Sequence, residues 1–201
     1  MTARLFPDDP DETRIEILKA TYAALCEHGY ADLTIERIGQ HFPKSTSLVY
    51  HHYEGKDDLL LDFLSYLLED AETSLGTDET ADADERLRTI FDRTLSGSET
   101  PEEAAFQQAM AWMRAQATTD EEYRDHFTQH DRFFRDRLAD IIRDGIEAGT
   151  FREVDPEQAA TMLHTVLSGA MAEQVTSDLD LSTMRSEVDA YIEERLLPAG
   201  R

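Results

Sequence analysis

Residues 34–60 read TIERIGQHFPKSTSLVYHHYEGKDDLL, and the reading of this stretch decides the fold. Ile35, Ile38 and Phe42 recur at spacings of three, four and seven, which marks one face of a helix. Thr34 is placed to cap it. Pro43 cannot continue that helix, because it lacks an amide hydrogen and clashes with the preceding turn. Ser45 is placed to cap a second short helix. That helix turns Leu48 and Val49 inward and leaves Thr46, Ser47, Tyr50, His51 and His52 outward. Two short helices about a tight connection are the layout of a helix-turn-helix, whose second helix enters the major groove of DNA.

The run Ser45-Thr46-Ser47-Leu48-Val49-Tyr50-His51-His52-Tyr53-Glu54-Gly55-Lys56-Asp57-Asp58-Leu59 resembles the signature of TetR-type transcriptional regulators. In that family a Tyr, a His or Tyr, an aromatic and a Lys–acid pair follow the recognition helix at this spacing. Glu27-His28-Gly29-Tyr30 and Thr34-Ile35 match the family's first-helix exit and second-helix entry. The resemblance is dense from Arg14 to Leu60 and thins beyond. Gly149 through Gly169 also resembles the connection between the family's seventh and eighth helices. One departure stands in the turn: the family's small–Gly–aliphatic step is replaced by Phe42-Pro43-Lys44. The register of Lys44 and Ser45 depends on how that turn is rebuilt.

The chain outside this stretch reads as helix throughout. Residues 1–10 carry Pro7 and Pro10 among acids and read as a loose arm. Ile15, Leu18, Tyr22 and Leu25 form one stripe of a first helix that Gly29 ends. A fourth helix runs from Lys56 to about Leu75. The acidic stretch from Gly76 to Asp84 reads as a linker. Later boundaries fall at Pro101, at Asp120, at Gly149, at Asp155-Pro156 and near Ser182. No stretch alternates as a strand would. The expected fold is all-α with about nine helices: an N-terminal three-helix helix-turn-helix domain over residues 1–55 and a helical ligand-binding and dimerisation domain over residues 56–201.

Charge sets a condition on any DNA reading. The net charge is −24. Residues 1–60 hold six Lys and Arg against eleven Asp and Glu; the rest holds thirteen against thirty-two. All three lysines (Lys19, Lys44 and Lys56) lie in the first part, and two of them flank the recognition helix. Acid excess with scarce lysine fits a salty cytoplasm, where self-repulsion is screened over about 3 Å at 1 M salt. There, counterion release gives little drive, and affinity leans on hydrogen bonds, base contacts and apolar packing.

Within this frame each residue type has a task. Thr46 and Ser47 are short donors or acceptors at the start of the recognition helix, where side chains reach base edges. Tyr50 and Lys56 suit phosphate contacts, with Lys44 as the other flanking cation. The resemblance adds Thr34, Ser45, His51 and His52. Phe106, Met110, Trp112, Met113, Phe127, Phe134 and Met162, with Phe133 and His164 beside them, form an aromatic and Met-rich set suited to an adaptable apolar pocket. The last two helices offer Ala159, Leu163, Leu167, Gly169, Ala170, Met171, Val188, Tyr191 and Ile192 for a homodimeric four-helix bundle. A symmetric pair would present two reading heads roughly 34 Å apart or somewhat more.

Other chemistry is poorly served. Cys26 is the only cysteine, which excludes an intrachain disulfide and a cysteine metal cluster. His126 and His130 stand four apart, a spacing that can hold zinc, but no Glu follows the first His as in a metalloprotease, and they read as exposed polar histidines. No Gly-rich phosphate loop or nucleophile elbow is present. No catalytic residue, metal or cofactor is expected. No run reaches membrane-span length and the first residues lack an apolar signal core, so a cytoplasmic protein without a membrane partner is expected. The resemblance implies a repressor that binds a palindromic double-stranded operator as a dimer and is released by a small-molecule effector. The alternatives are a ligand-independent regulator or activator of the same fold, or a helical protein-binding adaptor.

Overall fold

The computed structural model describes residues 13–74, 81–95, 97, 100–178 and 180–198. The expected N-terminal arm, residues 76–80 of the acidic linker and Ser98–Glu99 lie outside them. Among the described residues the regular structure is helical: α1 Thr13–His28, α2 Ile35–His41, α3 Thr46–His52, α4 Lys56–Ser74, α5 Ala83–Leu95, α6 Pro101–Gln116, α7 Glu121–Glu147, α8 Pro156–Thr176 and α9 Leu181–Tyr191. A five-residue π-turn, Ile192–Leu196, follows α9 directly. No described helix is long and apolar enough to cross a membrane.

Local chemistry explains the boundaries. Thr34, Ser45, Thr100, Asp155 and Asp180 cap their helices, each side-chain oxygen accepting from a first-turn amide. Asp120 Oδ1 accepts from the amides of Glu122 and Tyr123 and does the same for α7. Pro101 and Pro156 occupy first-turn positions, where no amide donor is needed. Gly29 and Gly149 end α1 and α7 with φ of +71°, a conformation that other residues reach only under strain. Two starts differ from expectation. Helix α5 begins at Ala83, inside the stretch read as linker, and the final helix begins at Leu181 because Asp180 supplies the cap.

The chain divides into two compact units. The first gathers Met1–Ala71 with Ser98–Phe127. Its core is built on Ile17, Leu18 and Leu25 of α1, Ile38 of α2, Val49 of α3 and Leu59, Leu60, Phe63 and Leu64 of α4, all fully buried. Helix α6 adds Ala109 and Met113, and the start of α7 adds Tyr123 and Phe127. Each such side chain contributes about 1.5–3 kcal/mol by leaving water. The short helices α2 and α3 are too short to persist alone and stand because this core holds their inner faces.

The second unit gathers Glu72–Gly97 with Thr128–Arg201. Leu87 and Phe91 of α5, Ile141 and Ile142 of α7, Leu163 of α8, and Ile192 and Leu196 of the π-turn are fully buried in it. After Gly149 the chain doubles back, and Phe151 comes to rest on Gly145, where a β-carbon would meet its ring at 2.2 Å. The amides of Thr150 and Phe151 both donate to the Gly145 carbonyl, at 2.8 and 2.9 Å.

Candidate nucleic-acid interface

Helix α3 is one-sided. Val49 is fully buried, Leu48 half-buried and the following Tyr53 buried. Ser47, Tyr50, His51 and His52 are exposed, Tyr50 by 53%. Ser45 caps the helix, and its hydroxyl lies 2.8 Å from that of Ser47. The rings of His51 and His52 stand edge to face, 6.0 Å apart. Thr46 is half-buried, because it packs where α2 crosses α3: a β-carbon on Gly39 would fall 2.3 Å from Thr46 Oγ1. The glycine therefore sets how closely the two helices approach.

The turn between α2 and α3 is held at both ends. Phe42 is buried in the core. Lys44 is exposed, but its ammonium is tied to α1, 2.5 Å from Glu16 Oε2 and 3.3 Å from Thr13 Oγ1. Tyr50 reaches back to α2 and donates to Glu36 Oε1 at 2.9 Å. The Glu36 carboxyl is held below its ordinary range by its own backbone amide, then by the hydroxyls of Tyr50 and Thr34. Thr34 is exposed and accepts from the Arg37 amide at 3.2 Å. Lys56, at the start of α4, lies over the Tyr30 ring at 5.0 Å, and Trp112 stacks on the same ring at 6.3 Å.

Behind α3 a three-member clamp fixes the start of α4. Arg14 donates twice to Asp62, at 2.7 and 2.9 Å, and Tyr53 donates to the same carboxylate at 2.6 Å. Burial acts to raise the Asp62 pKa, but the guanidinium and the phenol outweigh it and hold the carboxyl below its usual range. Burial, reinforced by that carboxylate, pushes the Tyr53 phenol far up.

All nine residues expected to face DNA lie on α3, in the turn before it, at the cap of α2 or at the first residue of α4. The surface they form is mixed in sign, since Glu36, Glu54, Asp57 and Asp58 are exposed among them. Local sequence patterns do not single out Glu16, Glu36 and Gly39. Their partners lie 7 to 28 positions away across turns, beyond the reach of local periodicity.

The aromatic and Met set is distributed over both units. Met113 and Phe127 are buried in the first, Phe106 and Met110 pack against them half-buried, and Trp112 is exposed by 55%. Phe106 lies 5.2 Å from Tyr22 of α1, ring to ring. Phe134 belongs to the second unit, with His130, Phe133 and His164 around it. Met162 lines an open groove between α8 and α9 with Val166, Met184, Tyr191 and Arg195. His126 and His130 are half-buried rather than exposed, since the His130 ring packs on Phe134 at 4.4 Å. Among residues expected at a dimer face, Ala159, Leu163, Leu167, Ala170, Val188 and Ile192 are buried by their own unit. Of the rest, Gly169 and Met171 are exposed, whereas Tyr191 is half-buried and packs on the same core, as do Met162, Val166 and Met184. The apolar stripe of α8 and α9 faces inward, and Met162, Val166 and Gly169 lie one residue to its side.

Comparison with known proteins fits this arrangement. The family model described as bacterial regulatory proteins, tetR family, matches residues 17–63. The model described as the C-terminal region of BetI-type transcriptional repressors matches residues 83–197. The HTH-type transcriptional repressor AcnR of Corynebacterium glutamicum is 26% identical over 191 residues, covering 94% of this chain and 96% of that protein. The HTH-type transcriptional regulator BetI 2 of Chromohalobacter salexigens is 31% identical over 85 residues, covering 42% of this chain and 41% of its own. A crystal structure of a TetR transcription regulator from Haloarcula marismortui is 38% identical with a TM-score of 0.80, covering 92% of this chain and 98% of that one. These relatives are regulators, not enzymes. With one model on the helix-turn-helix and a second on more than half of the chain, this protein belongs to the TetR family of DNA-binding transcriptional repressors.

Proposed function

We propose that the protein represses transcription by binding a palindromic operator as a homodimer, and that a small-molecule effector releases it. Residues 1–55 read DNA and residues 56–201 dimerise and sense. The observation that carries this reading is the one-sidedness of α3. Val49 is fully buried while Ser47, Tyr50, His51 and His52 are exposed on a helix capped at Ser45. In that role Thr46 and Ser47 address base edges, and Thr34, Lys44, Ser45, Tyr50, His51, His52 and Lys56 address backbone or flanking groups.

Dimerisation uses α8 and α9, with the exposed Gly169 and the half-buried Met162, Val166, Met184 and Tyr191 packing on their symmetry mates. The effector binds within residues 56–201, drawing on the aromatic and Met side chains expected to suit an apolar pocket. It acts by population shift, favouring a pose in which the reading heads no longer match adjacent grooves. The protein works in a cytoplasm of high salt, in keeping with its charge of −24 and the Haloarcula relative.

The test is selection of genomic fragments bound in molar KCl, followed by anisotropy titration of the enriched sequence across salt. We expect a palindromic site, a dimer in sedimentation at micromolar concentration, and a salt slope far shallower than the roughly −10 of a strongly cationic repressor. No enriched sequence, or a monomer bound to one half-site, overturns the proposal.

A further inference from the structure

Glu27 and His28 close α1, and His41 closes α2. One ligand atom from each lies within 4.8 Å of the others. His41 Nε2 is 3.1 Å from Glu27 Oε2, and His28 Nε2 is 3.8 Å from Glu27 Oε1. His28 Nε2 is shielded from solvent and makes no hydrogen bond. A ring nitrogen buried without a partner is costly, and it faces a carboxylate at a distance too long for direct bonding.

We propose that Glu27, His28 and His41 form a binding site for a divalent first-row transition metal, a site in the DNA-binding head itself. Two imidazoles and a carboxylate are a donor set suited to Zn2+ and its neighbours. Ligand atoms around a tetrahedral zinc stand about 3.4 Å apart, given bonds of about 2.0–2.1 Å. From the 4.8 Å limit the spacing needs to close by about 1.4 Å at most, and Glu27, 60% exposed, has the freedom to move towards both rings. The same exposure leaves a fourth position for water and a path of entry.

The setting adds a second attraction. Both histidines lie in the last turn of their helices, where unpaired carbonyls carry partial negative charge and favour a cation. A bound ion would tie the end of α1 to the end of α2, next to the Phe42-Pro43-Lys44 turn that launches α3.

The experiment uses the full chain, stripped with a chelator, dialysed and titrated with Zn2+ in the absence of DNA. Calorimetry reads stoichiometry, thermal melting reads stabilisation, and Co2+ substitution reads coordination from its visible absorption. We expect one ion per chain, a raised melting temperature and a Co2+ band of low coordination number. Glu27→Gln and His41→Gln should each weaken binding at least about tenfold, and the exposed Glu27→Gln keeps the test valid should His41→Gln not fold. The pair His126→Ala and His130→Ala should leave binding unchanged. A wild type that takes up no ion, binding that survives both Glu27→Gln and His41→Gln, or binding lost with the His126 and His130 pair overturns the assignment. Because no operator is present, failure here is separate from failure of the proposed repression.

Discussion

The Tyr50 phenol donates to Glu36 Oε1 at 2.9 Å, across the turn that separates α2 from α3. A phosphate contact from Tyr50 needs the same hydroxyl proton, so the carboxylate competes with DNA. Glu36→Gln keeps the side chain's length and removes both the stronger acceptor and a negative charge. It should raise operator affinity about two- to fivefold, whereas Tyr50→Phe should lower it by about as much. Anisotropy on a single operator fragment measures both. Tighter binding by Tyr50→Phe would assign the hydroxyl to the protein alone.

Lys56 and Ser47 should fail in different ways. Lys56→Ala removes a point charge beside the duplex and should weaken all sequences alike, lowering the salt slope by about 1. Ser47→Ala removes a short exposed donor from the start of α3 and should relax preference at one base pair. Thr46→Ala should do the same with an added loss of stability, because Thr46 also packs on Gly39. A panel of single-base operator variants separates the two patterns; identical profiles for Lys56→Ala and Ser47→Ala would remove the division of labour.

Gly39→Ala should destabilise the protein despite the better helix propensity of alanine. The new β-carbon meets Thr46 Oγ1 at 2.3 Å, Cγ2 at 2.9 Å and Cβ at 3.1 Å. Rotating the Thr46 side chain exchanges one clash for another and leaves Cβ where it is. Overpacking of this kind costs about 1–3 kcal/mol, against a propensity gain of about 1 kcal/mol. Urea unfolding should show a lower midpoint, and operator affinity should fall with it.

Asp62→Asn tests the clamp. It leaves the Arg14 guanidinium and the Tyr53 hydroxyl with a neutral acceptor, for an expected loss of about 1–2 kcal/mol at pH 7. The folded pKa of Asp62 lies below its unfolded value of about 3.9, so the clamp's contribution is complete above that pH and drains as pH falls towards the folded value. The stability gap between wild type and Asp62→Asn should therefore be flat from pH 7 to about pH 5 and should narrow below about pH 4. A gap that persists undiminished into acid would assign the effect to packing.

The helices were legible because their signals are local. Caps at Thr34, Ser45 and Asp155, the stops at Gly29 and Gly149, and the apolar spacing of α1 each lie within a few residues of the boundary they set. The helix-turn-helix was legible for the same reason. What periodicity could not give was which apolar face meets which neighbour. Helix α6 is amphipathic in the sequence, but only packing places Met113 with the core of α1 through α4. Leu163 and Val166 are equally apolar on paper; the first is fully buried by its own unit and the second borders a groove. The same limit hid Glu27 and His41, fourteen residues apart, which share no motif and meet only because α1 and α2 end side by side.

The π-turn after α9 has a practical meaning for anyone handling this chain. One extra residue in that turn brings both Ile192 and Leu196 inside, and the Leu196 and Leu197 carbonyls then receive the Arg152 amide and guanidinium from the loop before α8. The tail thus works as a fastener for a loop some forty-five positions upstream. A truncation placed ahead of Leu196 would undo it, whereas a tag joined beyond Pro198 would leave it shut.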